Sequence, residues 1–125
     1  MKAINPGLGL GLLLAGCATP APAPPERFSW AEIEPILAPV VYRDVLGKKC
    51  GVPSARVKVR FLAELKSAGA SQTLLAQSQS EAARIESAER KRLNEYVCTA
   101  EVFDSTEANA SRAFKAWTIL KGRGA

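Results

Sequence analysis

The chain has 125 residues, enough for one small domain with a single hydrophobic core. Its 17 Lys and Arg residues outnumber its 12 Asp and Glu residues, and the formal net charge is +5. Histidine is absent, which excludes Ser–His and Cys–His catalytic schemes and removes the usual imidazole base. The chain also has no P-loop and no SxxK pattern. These observations predict a protein that is not an enzyme and that holds no metal.

The first 17 residues have the pattern of an export signal. Lys2 supplies a positive charge, and the short apolar stretch from Leu8 to Leu14 follows it. That stretch is well below the roughly 20 apolar residues needed to span a bilayer as a helix, so it favours a secretory signal over a transmembrane anchor. Its ending, Leu14-Ala15-Gly16-Cys17, resembles the lipobox of bacterial lipoproteins.

The resemblance covers residues 1–17 and implies a covalently attached lipid. No cofactor is predicted besides this lipid. In bacterial lipoproteins a diacylglycerol is attached to the cysteine, here Cys17, and the signal, here residues 1–16, is removed. Ala18 follows the cysteine, and lipoproteins without Asp at that position usually reach the outer membrane. The implied location is the cell envelope, on the periplasmic face of the outer membrane, where nucleic acid is not a partner. Ordinary signal cleavage after Ala18 is the alternative, and it would discard Cys17.

The composition divides the exported part into three segments. Residues 17–27 carry the tract Pro20-Ala21-Pro22-Ala23-Pro24-Pro25, which predicts an extended, semi-rigid tether. Residues 28–121 have helical patterns and predict a helical domain. Residues 122–125, which include two glycines, predict a frayed C-terminus.

Ser29-Trp30-Ala31-Glu32 is a capping box that predicts the start of the first helix. Phe28 and Ile33 stand at the positions of a hydrophobic staple around it. Pro35 and Pro39 each remove an N–H donor, so we expect a kink before the helix continues. Gly47 is the predicted stop.

A second helix is predicted to open at Pro53-Ser54 and to end near Gly69. Apolar residues recur on one helical face at Val57, Phe61, Leu62 and Leu65. The rival interpretation is a strand over residues 56–61, because Val57, Val59 and Phe61 alternate with basic residues. Helix is favoured, since the helical pattern continues to Leu65 and no second strand is present to pair with it.

Ser71 is predicted to cap a long helix over residues 72–103. A second capping box, Asp104-Ser105-Thr106-Glu107, predicts a break there and the start of a last helix. That last helix carries an apolar side formed by Ala110, Ala113, Phe114, Trp117 and Leu120. Together these elements predict an all-α fold, a small helical bundle of three to four helices.

With Cys17 lipidated, Cys50 and Cys98 are an even pair in an oxidising compartment, which predicts one disulfide. Cys50 precedes Gly51-Val52-Pro53 and belongs to a turn, whereas Cys98 falls in a helical pattern. The alternatives are a redox-active pair or a metal site. Both are disfavoured, because the chain has no CxxC motif and no histidine.

Cations are concentrated in one part of the sequence and form a candidate site for anionic surfaces: Arg43, Lys48, Lys49, Arg56, Lys58 and Arg60. The commoner explanation of such a run is a solvated helical face. Most aromatic residues are predicted to lie in the core, since they occur at helical spacing. Trp30 is the candidate exception, as a partner contact in the first turn of the first helix.

These features support three functional hypotheses. The first is a non-enzymatic interaction module that binds an envelope protein, with the polar face of the predicted 72–103 helix pairing with a partner helix. The second is a binder of anionic envelope components, such as lipopolysaccharide or cell-wall polymer, through the basic stretch. The third is a small chaperone-like stress lipoprotein, by analogy of size and one-disulfide architecture alone. The interaction module is the leading hypothesis.

Overall fold

The computed structural model describes residues 25–52, 56–92 and 98–123. These ranges contain four helices and no strand: α1 (Trp30–Lys49), α2 (Val57–Ser67), α3 (Gln72–Lys91) and α4 (Ala100–Gly122). The prediction of an all-α bundle of three to four helices with one disulfide is confirmed. Some predicted features lie outside the described residues, namely the signal, Cys17, the tether as far as residue 24, the Pro53-Ser54 helix start and residues 124–125.

The start of α1 follows the sequence pattern. The hydroxyl of Ser29 accepts from the Glu32 amide at 3.2 Å, and the Glu32 carboxylate accepts from the Ser29 amide at 2.9 Å, which completes the capping box. Phe28 and Ile33 are both buried in the core on either side of it. Glu32 also accepts from Arg123 at 2.7 Å, so the start of α1 is bonded to the end of α4. The bonds from Arg123 and from the Ser29 amide lower the pKa of Glu32 to about 2.

The predicted stop of α1 at Gly47 is wrong. The helix continues to Lys49, and Gly47 is a buried residue inside it. A Cβ at Gly47 would lie 2.6 Å from Nη1 of Arg43, so the lack of a side chain at Gly47 gives room for the Arg43 guanidinium. The residues just after Lys49 terminate the helix. Gly51 has a φ of 70°, and the Val52 amide donates to the Gly47 carbonyl at 2.9 Å.

Pro35 and Pro39 do not divide α1 into two helices. Each proline leaves one backbone carbonyl without its helical partner, but α1 is the central element of the bundle and packs against α2, α3 and α4. Its nine buried residues occur on nearly all sides of the helix. We attribute the continuity of α1 to this packing, because apolar burial outweighs the loss of two hydrogen bonds.

Residues 57–67 form helix α2, so the strand interpretation of this segment is wrong. The helix ends at the predicted place, with Gly69 at a φ of 93°. Its N-terminus has no cap from its own flanking residue, Arg56. The Asp44 carboxylate of α1 accepts instead from the amides of Val57 at 3.1 Å and Lys58 at 2.9 Å. A side chain on α1 therefore fixes where α2 begins.

The predicted 72–103 helix is also wrong, because α3 ends at Lys91 and α4 begins at Ala100. Ser71 caps α3 as predicted, accepting from the Leu74 amide at 3.1 Å. A helix of 32 residues would run about 48 Å, some 18 Å past the 20-residue α1 beside it, and would leave its end unpacked. Asp104-Ser105-Thr106-Glu107 therefore lies inside α4, and Thr99 is the N-cap, accepting from the Val102 amide at 3.2 Å.

The core is centred on the aromatic side chains of Phe28, Phe61 and Trp117. Trp117 is fully buried, and its ring centroid lies 5.3 Å from that of Phe28 and 5.3 Å from that of Phe61. Its indole N–H donates to Glu64 at 2.9 Å, and Lys121 donates to the same carboxylate oxygen at 2.7 Å. The bonds from Lys121 and Trp117 lower the pKa of Glu64, although partial burial opposes the shift. The aromatic residues thus join the N-terminal segment to α2 and α4.

The bundle has two ends with different contacts. At the tether end, Arg27 donates to the carbonyls of Ala68 at 2.6 Å and Lys121 at 3.2 Å, and Glu26 accepts from the Ser71 amide at 3.2 Å.

At the other end, the disulfide end, Cys50 is bonded to Cys98 with a Cα–Cα distance of 5.5 Å. Cys50 is the C-cap of α1, and Cys98 immediately precedes the cap of α4 instead of lying in a helix as the sequence pattern predicted. The 20 residues of α1 separate the two ends by about 30 Å.

Candidate functional site

A groove at the disulfide end brings together cationic side chains from three helices. We call it the basic groove; it has a volume of about 620 Å³. Its cations are Lys48 and Lys49 from the last turn of α1, Arg56 and Lys58 from the start of α2, and Arg90 from the last turns of α3. It is also lined by Asp44, Val45, Gly47, Gly51, Val52, Val59 and Glu86.

Two carboxylates line the same groove, and both are already bonded. Asp44 accepts from the first amides of α2, where the helix dipole favours negative charge. Glu86 lies 3.3 Å from Nζ of Lys58 and 3.6 Å from a guanidinium nitrogen of Arg90. Five cations therefore outnumber two carboxylates, and the groove carries a net positive charge at neutral pH.

Lys48 and Lys49 are the cations of the groove that are most accessible to a ligand. Both side chains are exposed, and among the described residues neither has a carboxylate within salt-bridge distance. Their place in the last turn of α1 also complements the negative end of the helix dipole, which is a structural reason for lysine at these positions. Arg56 has a φ of 53°, an uncommon left-handed conformation for a residue with a side chain.

Arg43 does not belong to this site, which corrects its assignment to an anionic-surface site. Its side chain is buried, with 5% exposure, and points toward α4. Its Nε donates to Glu107, and its guanidinium lies 4.7 Å from the ring centroid of Phe103. Nη1 has no hydrogen-bond partner in the structure and packs against Gly47. Arg43 therefore links α1 to α4 and is not available to a surface ligand.

Arg60 and Trp30 also lie outside the basic groove. The Arg60 guanidinium lies 4.1 Å from the ring centroid of Phe114, on the side of α2 that faces α4, and 3.8 Å from Glu64. Trp30 is half-buried and packs against the core near the tether end. Of the six residues predicted to form the cationic site, the structure brings four together: Lys48, Lys49, Arg56 and Lys58.

Arg90 is a groove residue that was not among the predicted site residues. In the sequence, Glu86 and Arg90 have the four-residue spacing of an exposed helical ion pair, and this spacing alone gave no reason to join them to residues 48–58. Lys58 supplies the link, because it contacts Glu86 across the interface between α2 and α3. Such a contact depends on the packing of the two helices and has no signal in the sequence.

A second groove, of about 550 Å³, lies between α1 and α4. Pro35, Ala38, Pro39 and Tyr42 form its α1 side, and Arg112 is its one cationic lining residue. Tyr42 is 41% exposed and is an exception to the prediction that aromatic residues lie in the core. Phe28, Phe61 and Trp117 are buried in the core and Phe114 packs against it, whereas Tyr96 lies outside the described residues. This second groove lacks the clustered charge of the basic groove and so offers a ligand fewer charged groups to contact.

Within the described ranges, no group of three or more Cys, Asp or Glu side chains is placed to hold a metal ion. None of the helices in this part of the chain has the length and apolar content needed to cross a membrane. Comparison of the chain with protein-family models, with curated proteins and with solved structures finds no match.

Proposed function

We propose that this protein is a lipid-anchored protein of the bacterial envelope that binds an anionic ligand in the basic groove. The observation that carries the binding part is the convergence of Lys48, Lys49, Arg56, Lys58 and Arg90 on one concave surface. The volume of the groove falls within the roughly 300–1,000 Å³ typical of ligand sites. The proposal is a binding function and includes no reaction step.

The anchoring part is supported by how the three cysteines are distributed. The Cys50–Cys98 disulfide uses two of them, which fits an oxidising compartment outside the cytoplasm. Cys17 is the third, and it stands at the lipid-attachment position of the lipobox-like sequence. A periplasmic location on the outer membrane follows from the same resemblance and belongs to the proposal.

The lipid anchor predicts that Cys17→Ser moves the protein out of the membrane fraction. Cells expressing the chain are grown with an alkyne-labelled palmitate, and label is expected on the natural chain and not on the variant. Cys50→Ser is the matched control, since it changes a cysteine in the disulfide and leaves labelling intact. Equal labelling of the Cys17→Ser variant would contradict lipid attachment at this residue.

The binding proposal predicts that the charges of the groove control the affinity for anions in both directions. Lys48→Glu with Lys49→Glu is expected to weaken binding of a phosphate-bearing probe by about tenfold or more, since two attractive charges become repulsive. Glu86→Gln is expected to strengthen binding, because it releases Lys58 and Arg90 from their carboxylate partner. Titration calorimetry with dodecyl phosphate and with polyphosphate, at low and at high salt, measures both effects.

The matched control for the lysine pair is Lys66→Glu with Lys115→Glu. These lysines are exposed and lie outside the groove lining, and their substitution makes the same change in net charge. If the control pair weakens binding as much as the groove pair, the attraction comes from overall charge and the groove is not the site. If neither dodecyl phosphate nor polyphosphate binds at low salt, the proposed function is contradicted.

The interaction-module hypothesis stays a prediction, but it has lost its main support. It depended on a single helix over residues 72–103 with an unpaired polar face, and that segment instead contains the end of α3 and the start of α4. In-cell crosslinking followed by membrane purification tests it. A partner protein recovered in equal amount would favour it over the binding of a small anion.

A further inference from the structure

The lining of the basic groove combines two kinds of chemistry. Cations from α1, α2 and α3 line it together with apolar and glycine residues, namely Val45, Gly47, Gly51, Val52 and Val59. Val59 is 46% exposed. An inorganic anion or a hydrophilic polymer would satisfy the cations and leave Val59 in contact with water, whereas an aliphatic chain would cover it.

We infer that the ligand of the basic groove is an anionic amphiphile, a molecule with one negatively charged head and an aliphatic body. The head would contact Lys48, Lys49 and Arg56, and the aliphatic body would cover Val52 and Val59. This inference rests on the proposed function, because it specifies the class of anion that the same groove binds. The cations of the groove attract the charged head, and the exposed Val59 beside the half-buried Val52 offers an apolar contact for the body.

The position of the groove identifies the source of the amphiphile. The groove lies at the disulfide end, and the tether joins the bundle at the opposite end, about 30 Å away along α1. With Cys17 as the attachment point, the domain would be held to the membrane from the end opposite the groove. The occupant that fits this arrangement is a single amphiphile in the aqueous space and not a headgroup in the anchoring bilayer.

The test uses the full chain carrying Cys17→Ser, which has no acyl groups of its own to compete for the groove. Alkyl phosphates of increasing chain length, from butyl to dodecyl, are titrated below their micelle concentrations by calorimetry. Affinity is expected to rise at least tenfold from butyl to dodecyl phosphate, and amide resonances of Lys48, Lys49, Val52 and Val59 are expected to shift in NMR spectra. Dodecyl maltoside, which has the same chain and no charge, is expected to bind at least tenfold more weakly.

Val59→Ser separates the apolar contact from the charge. It is expected to weaken dodecyl phosphate binding several-fold and to leave butyl phosphate binding unchanged. Ile119→Ser is the matched control, because Ile119 is 75% exposed on α4 and outside the groove lining. Circular dichroism of both variants verifies that the helices are retained.

Three outcomes would overturn the inference. If butyl phosphate or polyphosphate binds as tightly as dodecyl phosphate, the groove binds anions without using the valines, and the proposed function survives alone. If the protein sediments with vesicles of an anionic phospholipid but does not bind the monomeric phosphates, a membrane surface is the ligand. If no anionic probe binds, the inference and the proposed function both fail.

Discussion

Reduction of the Cys50–Cys98 disulfide is expected to lower the free energy of unfolding by roughly 4 kcal/mol, the value that the chain-entropy model gives for a loop of this length. The bond joins residues 48 positions apart and links the C-cap of α1 to the residue before the cap of α4. Whole domains are stabilised by only about 5–15 kcal/mol, so the effect is large. Urea unfolding, followed by circular dichroism with and without a reductant, measures it.

The control for this measurement is the double variant Cys50→Ser and Cys98→Ser. It is expected to match the reduced natural protein, and its unfolding is expected to be insensitive to the reductant. A natural protein whose stability does not change on reduction would show that helix packing alone holds the disulfide end together. Free thiols at both positions in protein purified without a reductant would contradict the disulfide itself.

Trp117→Ala is expected to have an effect of similar size, about 3–5 kcal/mol. The side chain is fully buried, contacts the rings of Phe28 and Phe61, and donates its indole N–H to Glu64. Its removal leaves a cavity where the N-terminal segment, α2 and α4 meet. Trp117→Phe is expected to cost less, because it keeps most of the apolar volume and loses the hydrogen bond to Glu64. Urea unfolding of the two variants separates packing from the hydrogen bond.

Ile119→Ala is the matched control for the tryptophan variants. Ile119 is two residues further along α4 and is 75% exposed, so its truncation is expected to change stability by less than about 0.5 kcal/mol. If Trp117→Ala were equally mild, the aromatic cluster would not be the centre of the core. If Trp117→Phe were as damaging as Trp117→Ala, the bond to Glu64 would outweigh the packing of the ring.

Local side-chain chemistry made the helix starts at Ser29 and Ser71 predictable, because each cap forms within four residues of sequence. The same pattern failed at Asp104-Ser105-Thr106-Glu107, which has the residues of a capping box but lies inside α4. The cap that is used, Thr99, has Val102 at the third position of the helix and so lacks the reciprocal Glu or Gln. The choice between two possible starts depends on the length of the neighbouring helices, which local sequence does not encode.

Residues that serve tertiary packing were misread for a related reason. Gly47 is a residue type that commonly ends helices, but here it lies inside α1 and leaves room for the Arg43 side chain. Arg43 has the charge of a surface residue and is instead buried against Glu107 and Phe103 of α4. In both cases the determining neighbour is on another turn or another helix, and sequence proximity gives no information about it.

The candidate site was partly predictable, because four of its five cations lie within 11 residues of sequence, from Lys48 to Lys58. Their clustering in space follows from the short connection between α1 and α2, which keeps the two helix ends adjacent. The places of Arg90 and of Val59 in the groove lining were not predictable. Arg90 reaches the groove through the packing of α3 against α2, and Val59 faces it because of the rotation of α2 about its own axis.

The contacts of Glu26 and Arg27 determine how the domain would respond to a pull on its tether. Arg27 bonds to carbonyls at the C-terminal ends of α2 and α4, and Glu26 bonds to the cap residue of α3. A force transmitted through Pro25 is thus shared by three helices before it reaches the first turn of α1. With the proposed anchor at Cys17, these contacts would oppose the peeling of α1 from its N-terminus and would couple movement of the anchor to the whole bundle.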